Sequence, residues 1–244
     1  MEATDFVDIT GVTPVLSTPS NLTSVAYSAG KAGSLTVNTS RLRVRDGGAV
    51  AASTVATGNA GSLTINASDF IDVSGTALES QSPSLISAST VILNGALRQL
   101  LRLPERPSGS SGDITINTGQ LRVTNGGQVS VRNDGPRDAG KLQINARSIF
   151  LDNQGGIIAS TANGSGGNIF LNTPGELNLD HNSIISATAG GQGAGGNITI
   201  DPQQTTISNG SGITVSSTGT GNAGQLKISS NNLALNNRPI LNIN

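Results

Sequence analysis

Few residues in this chain are of a type and spacing that could do chemistry. Glycoside hydrolysis needs two carboxyl groups roughly 5–9.5 Å apart, one to give a proton and one to attack or to activate water. Asp134, Asp138 and Asp152 are the acids that cluster, in RNDGPRDAG and FLDNQGG. Both stretches are rich in turn formers, and Asp in a turn bonds its own backbone, so these three are expected to shape turns rather than to catalyse. A sugar cleft would be lined with large aromatic rings, and the chain has no Trp and one Tyr. His181 is the sole histidine. It stands fourteen residues after Gly167, where related segments carry glycine, which predicts a turn residue at positive φ rather than a catalyst or a metal ligand. There is no Cys, so no thiolate ligand and no disulfide. AGGQGAGG lacks the Asp of a calcium-binding nonapeptide and reads as a flexible corner. No phosphate loop is present, and the expectation is a protein without catalytic residues, cofactor or metal. Arg41, Arg43 and Arg45 alternate with apolar residues; they form either a solvated face or a contact for a sulfated or acidic glycan.

The elements that must position these groups are set by a repeat. GSLTVNTSRLRVRDGGAVAAST, from Gly33 to Thr54, contains three short runs with apolar residues two apart, Leu35/Val37, Leu42/Val44 and Val50/Ala52. Alternation with period two is a strand signal. Asn38-Thr39-Ser40 and Asp46-Gly47-Gly48 separate the runs as turns. The opening glycine recurs as Gly61, Gly112, Gly140, Gly167, Gly196 and Gly224, at intervals of 28, 51, 28, 27, 29 and 28 residues from Gly33 onward. A fixed period of this length marks a solenoid, in which each unit buries its apolar face only against its neighbours. The expected fold is all-β, a right-handed parallel β-helix with three sides and about eight coils of roughly 28 residues. The coils fall near 1–32, 33–60, 61–111, 112–139, 140–166, 167–195, 196–223 and 224–244, in a single solenoid over 1–244. At about 4.8 Å per coil the rod would be roughly 40 Å long.

Stacking turns repeat positions into columns. Asn38, Asn66, Asn117, Asn145 and Asn172 lie five residues after the glycine, and are predicted to form a structural ladder of amides at a corner. Gly47, Gly75, Gly126 and Gly210 mark a second corner that requires positive φ. Asp8, Arg43, Asp72 and Arg122 are predicted to share one outward row of alternating sign, as an ion-pair ladder that fixes register. Thr36, Thr64, Thr115 and Thr199 form another row, interrupted by Gln143, Phe170 and Lys227. Flat Thr arrays can bind ice, so an ice-binding solenoid is a rival reading.

ATDFVDITG at 3–11 matches ASDFIDVSG at 67–75, so the chain is expected to begin partway round a coil of a longer array. Pro14 and Pro19 mark a loop completing that coil. The long interval in 61–111 implies an insertion near 91–107, where ALRQLLRLPERP has helix-like spacing and Pro104 ends any helix. A net charge of −1 with 12% charged residues excludes an electrostatic case for nucleic acid. No apolar run approaches a membrane span, and the first residues do not form a signal peptide.

The pattern G-x-L-T-I-N, L-x-V-x-[DN]-G-G and A-S-T, alternating with A-S-D-F-I-D-V-S-G-T, resembles the repeat region of filamentous haemagglutinin-like exoproteins of the large cyanobacterial type. The resemblance covers nearly the whole chain and rests on structural positions, so it transfers no binding residues. It implies a secreted or cell-surface rod with an adhesive or matrix role, exported by two-partner secretion through an outer-membrane β-barrel transporter. A surface glycan or matrix is the implied ligand class. A polysaccharide-active β-helix lyase or hydrolase is the alternative on the same architecture.

Overall fold

Runs of alternating residues too short to be stable singly gain stability by pairing with copies of themselves. In the computed structural model, which describes residues 1–13, 18–78 and 80–244, every paired strand lies parallel to its equivalent in the next coil. The protein is a parallel β-solenoid of about eight turns, roughly 28 residues apart. Its strands form an 11-stranded sheet, folded along one corner to make two sides, and an 8-stranded sheet that makes the third.

The first two runs do not end at a turn, as the sequence suggested. They form one bent strand in Leu35–Arg45, Leu63–Ser74, Ile114–Thr124 and Leu142–Asp152. Pairing continues through Asn38↔Asn66 and Thr39↔Ala67 and shifts register only beyond them, so the corner is absorbed by a bulge. Three later coils break there, into Ile169–Asn172 and Glu176–Leu179, Ile198–Ile200 and Gln204–Ser208, and Leu226–Ile228 and Asn232–Asn236. Pro174 and Pro202 lie in the first two of those breaks, and proline has no N–H for the ladder.

The core is a set of like-on-like columns. Val37, Ile65, Ile116, Ile144, Leu171 and Ile200 stack along the first side. Leu42, Ile71, Leu121, Ile149 and Leu177 stack along the second. Val50, Ile86, Val129, Ile157, Ile185 and Ile213 stack along the third. These side chains are all buried. Thr205 continues the second column as a polar member, with its hydroxyl 3.1 Å from Ser230 Oγ.

The recurring glycine has a steric cause. A Cβ on Gly112 would stand 1.9 Å from the Gly61 carbonyl oxygen, one on Gly140 would stand 1.9 Å from Gly112 O, and one on Gly196 would stand 2.1 Å from Gly167 O. At this corner the backbones of successive coils approach too closely for any side chain. The inserted segment leaves the stack after Val91, whose amide donates to Thr54 O at 2.9 Å, and rejoins at Ser108, whose amide donates to Ala56 O at 3.1 Å. Between them Gly95–Leu100 is helical, capped by Asn94 Oδ1 accepting from the Leu97 amide. The chain leaves the helix through Arg102 at φ 52°, two residues before Pro104. Pro14 lies outside the described residues; Pro19 bridges antiparallel to Val12.

Candidate functional site

The asparagine corner is a continuous amide chain. Asn66 Nδ2 donates to Asn38 Oδ1 at 2.7 Å, Asn117 to Asn66 at 2.7 Å, Asn145 to Asn117 at 2.8 Å, and Asn172 to Asn145 at a weaker 3.5 Å. The last link lengthens where the chain turns toward Pro174 and the strand ends.

The arginine face is occupied from within. Asp8, Arg43, Asp72 and Arg122 are in register, but among the described residues no ion pair joins consecutive members. Arg45 pairs with Asp8 at 2.9 Å instead, and Arg41 pairs with Asp5. The Arg43 guanidinium sits 5.0 Å from the Phe6 ring centroid and 5.4 Å from that of Phe70. Long side chains reach diagonal neighbours on a sheet, and ring faces attract a guanidinium. That diagonal reach replaces the expected ladder. The threonine row runs Thr36, Thr64, Thr115, then Gln143 and Phe170, and resumes at Thr199 before Lys227.

The three clustered acids of the sequence separate. Asp134 binds Arg132 and accepts from the Ile92 amide at 3.1 Å. Asp138 Oδ1 accepts from the Ser165 amide at 2.7 Å. It lines a polar groove of about 730 Å³ with Asp113, Arg137 and Lys141. Asp113, which the sequence did not single out, accepts from the Lys141 amide at 2.8 Å. Both carboxylates staple one coil to the next.

Asp152 lies at a different corner, at the end of the second side, and there it meets His181. His181 Nδ1 is 2.8 Å from Asp152 Oδ1 and 3.3 Å from Asp180 Oδ2. Among the described residues this is the one group of three His, Asp or Glu side chains whose ligand atoms lie within 4.8 Å of one another. Asp180 Oδ1 accepts from Asn209 Nδ2 at 2.6 Å, Ser208 Oγ at 2.9 Å and the His181 amide at 2.9 Å. The hydrogen bond to Asp152, with the charge of Asp180, raises the His181 pKa above its ordinary value. Desolvation works against Asp180, but its hydrogen bonds from Asn209, Ser208 and the His181 amide hold its pKa below the usual carboxylate value. Arg122, Thr124, Phe150 and Asn178 complete a small cleft of about 200 Å³ with the two acids.

His181 does have positive φ, 48°, yet it does not occupy the glycine column. Asn145 and Asn172 pair 27 residues apart, whereas Ile149 and Leu177 pair 28 apart. The corner at Pro174 is therefore one residue longer, which moves every later position of that coil by one. His181 falls in the column of Asn125, Asn153, Asn209 and Asn237, and Asn182 at φ 60° takes the place of Gly126 and Gly210. This second asparagine column escaped the sequence reading, although Asn125, Asn153, Asn209 and Asn237 all keep the repeat interval or a multiple of it.

Fold and columns together define a repeat protein of the parallel β-solenoid class. Compared with protein-family models, with curated proteins and with solved structures, the chain matches none.

Proposed function

We propose that this chain is a non-catalytic structural and adhesive rod segment of a secreted, cell-surface exoprotein. The supporting observation is the continuity of its columns. The asparagine chain from Asn38 to Asn172 and the buried aliphatic stacks run the length of the coils they join. Such a one-dimensional design converts repeat number into length. Its repeat grammar resembles filamentous haemagglutinin-like exoproteins, which brings an outer-membrane β-barrel transporter of the two-partner type as the export partner. A surface glycan or matrix polymer is the ligand class, and the arginine face around Arg41, Arg43 and Arg45 is its candidate contact. The rival reading, a polysaccharide-active enzyme, draws on the groove that holds Asp113 and Asp138.

A glycan array followed by incubation with each bound polymer tests the reading. Retention of a polymer without change in its chain length is the expected result. Depolymerisation that disappears in Asp138→Asn would overturn it in favour of the enzyme, and thermal hysteresis in solution would overturn it in favour of ice binding.

A further inference from the structure

We infer that Asp152, Asp180 and His181 form a binding site for one borderline divalent transition-metal ion, with zinc as the type, clamping two successive coils together. Three features of the corner carry the inference. His181 interrupts a run of Asn at the same backbone geometry, with φ of 53° at Asn125, 46° at Asn153, 50° at Asn209 and 54° at Asn237, in a column whose first coils hold Gly11, Asp46 and Gly75. Asn suits that column twice over. It tolerates the left-handed backbone, and its amide links to the coil before it, Asn153 to Asn125 at 2.9 Å and Asn237 to Asn209 at 2.5 Å. His181 gives up that link, and Asn209 bonds Asp180 instead. From Asn125 to Asn237 His181 is the one departure from Asn, and departures from a local rule are expected at functional or strained positions.

The second feature is charge. Asp152 and Asp180 are equivalent positions of neighbouring coils, with the Asp180 amide donating to Leu151 O at 2.9 Å. Like charges facing each other on adjacent strands are destabilising. Elsewhere in this column Thr124 and Ser208 avoid the problem. A neutral imidazole leaves two carboxylates at one corner, with Arg122 as the cation lining the same cleft. A divalent ion between them removes the repulsion.

The third feature is an acceptor without a donor. Asn178 Oδ1 is buried and unpartnered, and Asn178 lines the same cleft as Asp152 and Asp180. A buried polar atom of this kind is commonly answered by a water or an ion.

The donor set selects the ion. One imidazole nitrogen and two carboxylate oxygens suit zinc and its neighbours, whose bonds to N and O are about 2.0–2.2 Å. Calcium and magnesium prefer oxygen alone. The cleft, about 200 Å³, is smaller than the ~300 Å³ lower bound of ordinary organic-ligand pockets. Side chains of His181 and Asp152 are 60% and 53% exposed, so an arriving ion has open access and water can complete its coordination.

The test is calorimetric titration of untagged, chelator-treated full chain with zinc chloride near pH 7.5, alongside His181→Asn and Asp152→Asn. His181→Asn completes the asparagine column and is expected to fold with an undiminished metal-free Tm. Asp152→Asn keeps the oxygen that accepts the Asn153 amide. The wild type is expected to bind one zinc per chain, with both variants at least about tenfold weaker. Because the chain has one histidine, its imidazole NMR signals report ligation at Nδ1 directly. Absence of one-to-one binding, variants within about twofold of wild type, an unmoved imidazole signal, or equal affinity for calcium would each overturn the inference.

Discussion

Replacing Gly112 by alanine isolates the close approach of the coils. Gly112 does not have positive φ, so the added methyl brings no backbone strain of its own. It brings a collision, because its Cβ would stand 1.9 Å from Gly61 O, about 1.5 Å short of ordinary contact. The obstacle is backbone and cannot rotate away. Relief requires the two coils to separate locally, across the bonds from the Ala60 amide to Ser110 O at 2.9 Å and from the Leu63 amide to Asp113 O at 2.8 Å. Losing two such bonds destabilises by about 0.5–1.5 kcal/mol each, and overpacking adds about 1–3 kcal/mol. The total is about 2–6 kcal/mol, and at roughly 2–4 °C per kcal/mol for a chain of this size the Tm should fall by roughly 10 °C. Two controls share the chemistry without the collision. A methyl on Gly33 would meet Ser24 Oγ at 3.3 Å, and one on Gly156, in the middle of the rod, would meet Ile158 Cδ1 at 3.2 Å. Both neighbours are side-chain atoms, so both variants should stay within about 1 kcal/mol of wild type. Thermal melts followed by circular dichroism, with calorimetry to test cooperativity, decide the matter. A Gly112→Ala melt that coincides with Gly156→Ala would refute the steric account of the glycine column.

Two further outcomes follow from the corners. Asn117→Ala removes the 2.7 Å and 2.8 Å links of the amide chain and strands two half-buried partners, a loss of about 1–3 kcal/mol in denaturant titration; Asn172→Ala removes only a 3.5 Å contact and should be nearly silent. In metal-free protein the imidazole of His181 should titrate above 6.5, read by NMR, with Asp152 and Asp180 as the charged groups facing it. Because the folded value is the higher one, the stabilisation is full below the unfolded pKa and is lost as pH rises through the folded value. Stability of metal-free protein that rises across that range, or stays flat as in His181→Asn, would contradict the ion pair.

The architecture was legible because its cause is local and repeated: alternation at Leu35/Val37 and Leu42/Val44, copied at a constant interval, leaves few ways to bury those residues. The amide chain from Asn38 onward was legible for the same reason. What could not be read depended on reach or on counting through a corner. Whether Arg43 chooses Asp8, Asp72 or the rings of Phe6 and Phe70 is decided by diagonal geometry, which sequence spacing does not contain. Counting from Gly167 puts His181 in the wrong column because the one-residue lengthening at Pro174 is invisible in that count. Asp180 carries no signal in the sequence because it lies far along the chain from Asp152 and comes beside it only through winding. The bend at Thr39–Arg41 reads as a turn by composition, yet the strand resumes its ladder at Arg41 after a one-residue register shift.

The excursion between Val91 and Ser108 shows how such a molecule tolerates change. The polypeptide departs and returns through bonds to the same preceding coil, at Thr54 O and Ala56 O, and the pairing of Val50, Ile86 and Val129 beneath it is undisturbed. Sequence drift in length is thereby quarantined at the vertices of the triangle, while the flat walls keep their alignment. A lineage of these molecules can acquire outgrowths at the vertices one at a time, each a candidate for recognition, without renegotiating the interior.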